Sequence, residues 1–171
     1  MSKTSMKVRK RIAVGLAAWA ALLLFAALGW AQARPTADEV MADFHAAEGR
    51  CEGMLQDPLI LNADIVKGRV IEDIKNPQMD KRRYAIGFLG NVRAQEALPT
   101  LRAILADEAE IYYFRADALQ SIFQIDEAEG RELAANYADT EGFLGMIARD
   151  VLAGGEAFYR RSWLDAFLGR H

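Results

Sequence analysis

The sequence predicts an all-α protein in which helix–turn–helix units repeat along the chain. Two observations carry this prediction. Apolar residues recur at the three- and four-residue spacings of helices, and two segments match at an offset of 33 residues. No stretch has the alternating polar and apolar pattern of a strand. A chain of 171 residues, 52% of them hydrophobic, is long enough for one compact domain.

The first 33 residues have the layout of an export signal. Five basic residues precede an apolar block at 12–30, and residues 31–33 form an A-x-A cleavage site. We therefore expect 1–33 to be a signal peptide and 34–171 to be a periplasmic or otherwise extracytoplasmic domain. The alternative is an uncleaved anchor, because the apolar block is close to the roughly 20 residues that span a bilayer. In that case the domain is tethered to the inner membrane, and only 12–30 contact the membrane.

The charge of the remaining chain argues against nucleic acid as a partner. Residues 1–33 hold five of the 21 basic residues and none of the 24 acidic ones, which leaves 16 basic against 24 acidic residues and a net charge of −8. Nucleic-acid affinity comes from clustered Lys and Arg that neutralise phosphates. Cys51 is the only cysteine, so no intramolecular disulfide forms; we expect a buried thiol, with an intermolecular disulfide as the alternative.

Two helices are predicted before the repeat. Thr36 and Glu39 fit a capping box, and apolar residues at helical spacing extend this helix over about 37–55: Val40, Phe44, Ala47, Cys51 and Met54. Asp57-Pro58 is expected to break the pattern. The second helix is predicted from Asp64 to Lys75, with Val66, Val70, Ile71 and Ile74 facing inward. Asn76-Pro77 is expected to end it and to open the next helix.

The repeat begins at "RRYAIGFLGNV" and recurs at "RADALQSIFQI". Five pairs match at the offset of 33: Arg82 with Arg115, Ala85 with Ala118, Ile86 with Leu119, Leu89 with Ile122, and Val92 with Ile125. Each copy continues into a second apolar-periodic segment, at 96–106 and at 127–138. A weaker third copy is predicted around Ile147, Val151 and Leu152, with Ala148 in place of the arginine. Gly154-Gly155 marks its turn, and 156–171 is the predicted closing helix.

Two glycines of the first copy, Gly87 and Gly90, do not form a phosphate-binding loop, because they fall late in a predicted helix and not between a strand and a helix start. We expect Gly90 to end the helix and Gly87 to allow close approach of another helix.

The repeated segments resemble HEAT-like repeats of the type also present in phycobilisome lyase subunits. That pattern has an arginine opening the first helix, Ala-x-x-x-Leu-Gly ending it and Ala-x-x-x-Leu in the second. The matching residues are Arg82, Ala85, Leu89, Gly90, Ala97 and Leu101; the second copy keeps Arg115, Ala118 and Ile122, but has Phe123 for the glycine and Gly130 for the alanine. The resemblance covers about residues 60–153. It implies a short α-solenoid of antiparallel helix pairs, capped by its first and last helices, that binds proteins along a concave face. In the lyase relatives the ligand is a bilin chromophore.

No residue arrangement typical of an enzyme is present. The domain has two serines, Ser121 and Ser162, and neither lies in a G-x-S-x-G turn; its two histidines, His45 and His171, have no zinc-site spacing to the cysteine. We expect Ser121 to be a small packing residue. No catalytic residue, cofactor or metal site is predicted. Carboxylates in the turns near 107–110, 126–129 and 139–141 are expected to be solvated, with an acidic rim for a basic partner as the alternative.

The candidate partner-binding residues are basic or aromatic: Arg82, Arg83, Tyr112, Tyr113, Arg115, Arg160, Arg161 and Trp163. A packing role is the alternative for each group, with the repeat arginines pairing with acids of adjacent turns and the aromatic residues entering the core.

The function expected from these features is an exported, non-enzymatic protein-binding or scaffold module. One alternative is an assembly chaperone or lyase-like accessory that holds a prosthetic group in a groove lined by Tyr112, Tyr113 and Phe88. The other is an enzyme of unrecognised type.

Overall fold

The computed structural model describes residues 34–48 and 55–155, and the regular structure in these ranges is entirely helical, as predicted. The chain divides into two compact units, Met1–Pro35 and Thr36–His171, and nearly all described residues belong to the second. Its helices are α1 Ala37–Ala46, α2 Asp57–Leu61, α3 Ala63–Asp73, α4 Arg82–Asn91, α5 Leu98–Ala106, α6 Tyr112–Ile125, α7 Glu127–Ala135 and α8 Gly142–Ala153. A 3₁₀ turn, Gln95–Ala97, precedes α5.

Three predictions concern segments outside the described residues. These are the signal or anchor at 1–33, the buried Cys51 thiol and the closing helix at 156–171.

Helix α1 begins with the predicted capping box and ends earlier than predicted. The Thr36 hydroxyl oxygen accepts from the Glu39 amide at 3.2 Å, and the Glu39 carboxylate accepts from the Thr36 amide at 2.7 Å. The helix ends at Ala46 and does not continue to about 55. At this end the Lys81 ammonium donates to the carbonyls of Phe44 (3.0 Å), His45 (2.6 Å) and Ala47 (2.5 Å). Carbonyl groups at a helix end lack the full set of intrahelical partners, and a cation there is favoured by the helix dipole.

The structure differs from the prediction at two prolines. A helix begins at Asp57-Pro58, where a break was predicted, and none begins at Asn76-Pro77, where a helix start was predicted. Pro58 lies in the first turn of α2, so Asp57-Pro58 opens a helix. A proline in a first turn costs little, because its missing N–H would have no partner there. By contrast, α4 begins at Arg82 and not at Asn76-Pro77, because Lys81 has a φ of +55° and interrupts a helical path. In α3 the predicted inward residues are all buried: Val66, Val70, Ile71 and Ile74.

The two clear copies of the repeat have matching burial. In three of the five pairs both partners are fully enclosed: Ala85 and Ala118, Ile86 and Leu119, and Leu89 and Ile122 are all 0% exposed. Arg82 is buried, whereas Arg115 is half-buried. Helix α4 opens at its arginine, whereas α6 begins three residues before Arg115. Helix α6 is central, because it packs against α4, α5, α7 and α8.

Helices α4 and α6 lie side by side and run in the same direction. Their contacts advance in the same order along both: Arg83 with Asp117, Ile86 with Ser121, and Asn91 with Gln124. Ser121 is buried and donates to the Ile86 carbonyl at 3.0 Å, which confirms its packing role.

A row of side-chain amides extends these contacts across three segments. Asn91 donates to the Gln56 oxygen at 2.8 Å and accepts from Gln124 at 3.0 Å. Asn91 and Gln124 are themselves separated by the repeat offset of 33 residues, so the same position of successive units supplies this contact.

The structure places the close helix approach at Gly90 and not at Gly87, and neither glycine ends α4. A Cβ added at Gly90 would lie 2.8 Å from the Cα of Ser121, so Gly90 is the point of close approach to α6, and the helix continues past it to Asn91. At Gly87 the nearest atom to an added Cβ is the side-chain nitrogen of Gln56, at 3.2 Å. Gly130 has the same close-approach role in α7, against the backbone of Phe123.

The third copy departs from its predicted pattern at two positions. Ile147 and Val151 are buried as predicted, but Leu152 is 41% exposed. The arginine thought to be replaced by Ala148 is present one residue later, because Arg149 donates to the Ala138 carbonyl at 2.6 Å. The predicted turn at Gly154-Gly155 is confirmed by positive φ values of 117° and 73°.

Arginines join successive helices at equivalent places. Arg82 donates through Nε to the Ile74 carbonyl at the end of α3 (2.7 Å), and Arg115 donates through Nε to the Leu105 carbonyl near the end of α5 (2.9 Å). Arg149 makes the corresponding contact just beyond α7. A cation at the carbonyl end of a helix is favoured by the helix dipole. The buried apolar side chains form one continuous core from Val40 in α1 to Val151 in α8.

Candidate binding surface

Three aromatic side chains meet where α6 and α8 begin: Tyr112 and Tyr113 are exposed, and Phe143 is partly buried against the core. The rings of Tyr112 and Tyr113 lie 4.2 Å apart between centroids, and Tyr113 lies 5.1 Å from Phe143. The tyrosines are 50% and 43% exposed. We call Tyr112, Tyr113 and Phe143 the aromatic patch.

The start of α6 explains why two aromatic residues face solvent and a third does not. Successive residues of a helix point about 100° apart, so one run of aromatics cannot bury all its members. Phe114 packs against the core beneath the Arg82 guanidinium, 5.0 Å from its ring centroid. The packing interpretation of "YYF" therefore holds for Phe114, while Tyr112 and Tyr113 remain at the surface.

The two tyrosine hydroxyls interact with each other. A hydrogen bond with the Tyr113 hydroxyl, aided by partial desolvation, raises the pKa of Tyr112 above its ordinary value. The Tyr112 phenol is therefore uncharged at neutral pH.

Exposed carboxylates flank the aromatic patch. Glu108 lies in the connector before Tyr112, and Asp139 and Glu141 lie in the connector before Phe143. All three are exposed, and none makes an ion pair with another residue of the described ranges. Because Tyr113 touches Phe143, the two connectors lead to the same edge of the molecule. This edge is therefore both aromatic and negatively charged.

Most other surface carboxylates near α3 to α7 have partners. Glu96 pairs with Lys67 at 2.8 Å, and Glu129 is held by Arg102 through two hydrogen bonds. Hydrogen bonding from Lys67 lowers the pKa of Glu96, and Glu129 raises the pKa of Arg102. The carboxylates beside the aromatic patch therefore differ from Glu96 and Glu129 in having no ion pair among the described residues.

Arg82 is enclosed and does not reach the surface. Its side chain is 3% exposed and its Nη1 donates to the Glu110 carboxylate at 2.5 Å, whose side chain is 8% exposed. Glu110 also accepts from the Ile111 amide at 2.9 Å, next to the start of α6. This pair forms the floor of a cleft of about 220 Å³ that is also lined by Lys75, Pro77, Thr100, Ala103, Ile104 and Asp107. The interpretation in which Arg82 pairs with an acid of an adjacent turn fits this geometry.

The remaining candidate residues are scattered. Arg83 is exposed on α4 and donates to Asp117 of α6 at 3.1 Å. Arg115 is half-buried, with its guanidinium 5.6 Å from the Tyr137 ring centroid. Arg160, Arg161 and Trp163 lie outside the described residues. Of the predicted set, the structure brings together only Tyr112 and Tyr113.

The groove suggested for a prosthetic group is not formed by the residues predicted for it. Phe88 is 0% exposed and belongs to the core, so it cannot line a surface with the two tyrosines. The sequence analysis instead missed Phe143, and with it Met146, which is 38% exposed one helical turn further along α8. Phe143 could have been found from the sequence, because short connectors bring the starts of repeated helices close together.

Other kinds of site are not evident in the part of the chain that the structure covers. Within 34–48 and 55–155, no group of three His, Cys, Asp or Glu residues could hold a metal ion. In the same ranges no helix is both long and apolar enough to cross a bilayer.

Comparison with known proteins adds no relative. No protein-family model, curated protein or solved structure matches the chain.

Proposed function

We propose that this protein is an exported, non-enzymatic binding module, built as a short α-solenoid of HEAT-like antiparallel helix pairs, that holds a protein partner at its aromatic patch. The observation that carries the proposal is the cluster of Tyr112, Tyr113 and Phe143 at the surface, beside carboxylates that have no ion-pair partner among the described residues.

Two features support the solenoid arrangement. Helix α6 packs on α4 of the preceding unit and on α8 of the following one, which is how stacked repeats share a core. The arginine contacts at Ile74, Leu105 and Ala138 recur where one helix pair follows another. An experimental structure in which α4 and α6 ran in opposite directions would contradict this arrangement.

The composition of the patch supports a protein partner. Tyrosine is enriched at protein interfaces because it has a large apolar ring and a polar hydroxyl, and loses little conformational freedom on binding. Large aromatic side chains this exposed, touching one another, leave apolar area in water that a partner would cover. Export rests on the basic and apolar layout of residues 1–33.

The proposal can be tested by affinity purification of the tagged full chain from the native cell envelope. We expect a protein to co-purify with the natural sequence and to be lost from the variant Tyr112→Leu/Tyr113→Leu. Leu61→Ala is the matched control, since Leu61 is a 71% exposed apolar residue on α2. Failure to recover any protein that depends on the two tyrosines would contradict the proposal.

A second candidate function is favoured by one observation, the two tyrosine rings 4.2 Å apart. Such rings could stack against a flat prosthetic group, as in a lyase-like accessory or assembly chaperone. The intact mass and visible absorption of the purified chain distinguish the two functions. An added mass or a colour that disappears in the leucine variant would favour the accessory.

A further inference from the structure

We propose that the aromatic patch recognises a basic segment of its partner, in which a lysine or arginine lies over a tyrosine ring while neighbouring basic side chains meet Glu108, Asp139 and Glu141. This inference rests on the proposed function and specifies the chemistry of the partner.

Most of the other aromatic rings in the described part of the chain lie beneath a cation. Of the six described outside the patch, four are covered by a cation of the same chain: Phe44 by Lys81 (5.8 Å to the centroid), Phe114 by Arg82 (5.0 Å), Phe123 by Arg131 (5.5 Å) and Tyr137 by Arg115 (5.6 Å). Cations within about 6 Å of an aromatic centroid are attracted by the negative ring face. Contacts of this kind occur from α1 to α7.

The aromatic patch differs from those four rings in having no cation of the described residues over it. Tyr112, Tyr113 and Phe143 touch one another, and no lysine or arginine of 34–48 or 55–155 lies over any of them. The basic residues nearest in sequence are bound to backbone carbonyls, Arg115 to that of Leu105 and Arg149 to that of Ala138 beside Asp139. A cation over these rings must therefore come from outside the described part of the chain.

The charge of this edge also favours a basic partner. Glu108, Asp139 and Glu141 give this edge three exposed negative charges with no ion pair in the described ranges. Carboxylates around an aromatic surface attract basic side chains and hold them close to the rings, whereas they repel acidic segments and cost energy when an uncharged segment desolvates them. A basic segment is the one occupant that satisfies both the rings and the carboxylates.

The binding test uses a fluorescently labelled short peptide of alternating arginine and serine, titrated with the full chain. The protein is kept in a zwitterionic detergent, because residues 12–30 are apolar and a zwitterionic micelle adds no net charge. Peptides in which glutamate or leucine replaces arginine serve as controls. We expect saturable binding of the arginine peptide alone, weakening as salt rises.

Matched variants separate the rings from the charge. Tyr112→Phe/Tyr113→Phe keeps both ring faces and should retain the affinity, while Tyr112→Leu/Tyr113→Leu should reduce it by roughly tenfold. Glu108→Gln/Glu141→Gln should also weaken binding and flatten its salt dependence. Asp43→Asn/Glu48→Gln removes the same charge from exposed, unpaired residues in and after α1, and should change the affinity less than twofold.

The possible results distinguish this inference from the proposed function. Equal losses from the two charge variants, or unchanged binding by the leucine variant, would mean non-specific attraction to an acidic protein and would overturn the inference. Equal binding of the leucine peptide would overturn it in favour of a plain apolar docking site. In either case a protein that still co-purifies in a tyrosine-dependent manner would leave the proposed function standing. The circular dichroism of each variant should match that of the natural sequence, because the altered side chains are exposed.

Discussion

The close approach of α4 and α6 at Gly90 can be tested by adding a single methyl group. In Gly90→Ala the new Cβ would lie 1.9 Å from the Gln124 side-chain oxygen and 2.8 Å from the Cα of Ser121. The glutamine end can rotate away, although this disturbs its hydrogen bond to Asn91. The Ser121 backbone belongs to a packed helix and cannot move alone, so the two helices must separate.

The magnitude follows from two opposing effects. Alanine in place of glycine stabilises a helix interior by about 0.5–1 kcal/mol, because glycine loses more backbone freedom on folding. Overpacking a well-filled interface costs about 1–3 kcal/mol. We therefore expect Gly90→Ala to lower the free energy of unfolding by about 0.5–2 kcal/mol.

Gly68→Ala provides the matched control. Gly68 lies in the middle of α3 and is exposed, and an added Cβ there meets no atom within 4 Å. This variant should be stabilised by about 0.5–1 kcal/mol, so that the difference between the two variants isolates the steric cost. Urea unfolding followed by the helical circular dichroism signal measures both. If Gly90→Ala were stabilised as much as Gly68→Ala, α4 and α6 would not meet at this position.

Three further predictions concern charged side chains. Glu110→Ala leaves the buried Arg82 guanidinium without its carboxylate partner and should lower the free energy of unfolding by about 3–5 kcal/mol. The double variant Arg82→Met/Glu110→Leu should recover most of this loss, and equal stabilities of the single and double variants in urea unfolding would contradict the buried pair. Lys81→Met removes three hydrogen bonds from the end of α1 and should lower the free energy of unfolding by about 1–3 kcal/mol in the same urea experiment. The exposed control Lys75→Met should change it by less than about 1 kcal/mol. The backbone hydrogen bond from Thr36 and then its hydroxyl lower the pKa of Glu39, so the stabilisation due to its charge is present above the unfolded value of about 4.3 and is lost as the pH falls through the folded pKa. The advantage of the natural sequence over Glu39→Gln should therefore shrink below about pH 4.3, and a constant difference between pH 7 and pH 3 would contradict this coupling.

What the sequence predicted well depends on neighbours along the chain. The capping box at Thr36 involves residues three apart, and the buried faces of α3, α4 and α6 follow from helical spacing. The repeat offset also predicted that equivalent residues such as Ala85 and Ala118 are equally buried. These features need only local geometry or comparison of the chain with itself.

What the sequence did not predict depends on side chains that meet across the fold. The end of α1 is held by Lys81, 34 to 37 residues away, and no local pattern near Ala46 reports it. Whether Gly87 or Gly90 lies against α6 depends on how α4 is rotated about its axis. The spacing of apolar residues does not report this rotation. The aromatic patch requires contact between Tyr113 and Phe143, which lie at the starts of different helices.

The arginine contacts between successive helices have a consequence for how each junction is specified. Each bond reaches back only 8, 10 or 11 residues, to the helix that immediately precedes the arginine. A segment of about 33 residues that contains this arginine therefore also contains the donor that binds the preceding helix. The contact between one helix and the next is thus specified by residues that lie close together in the sequence.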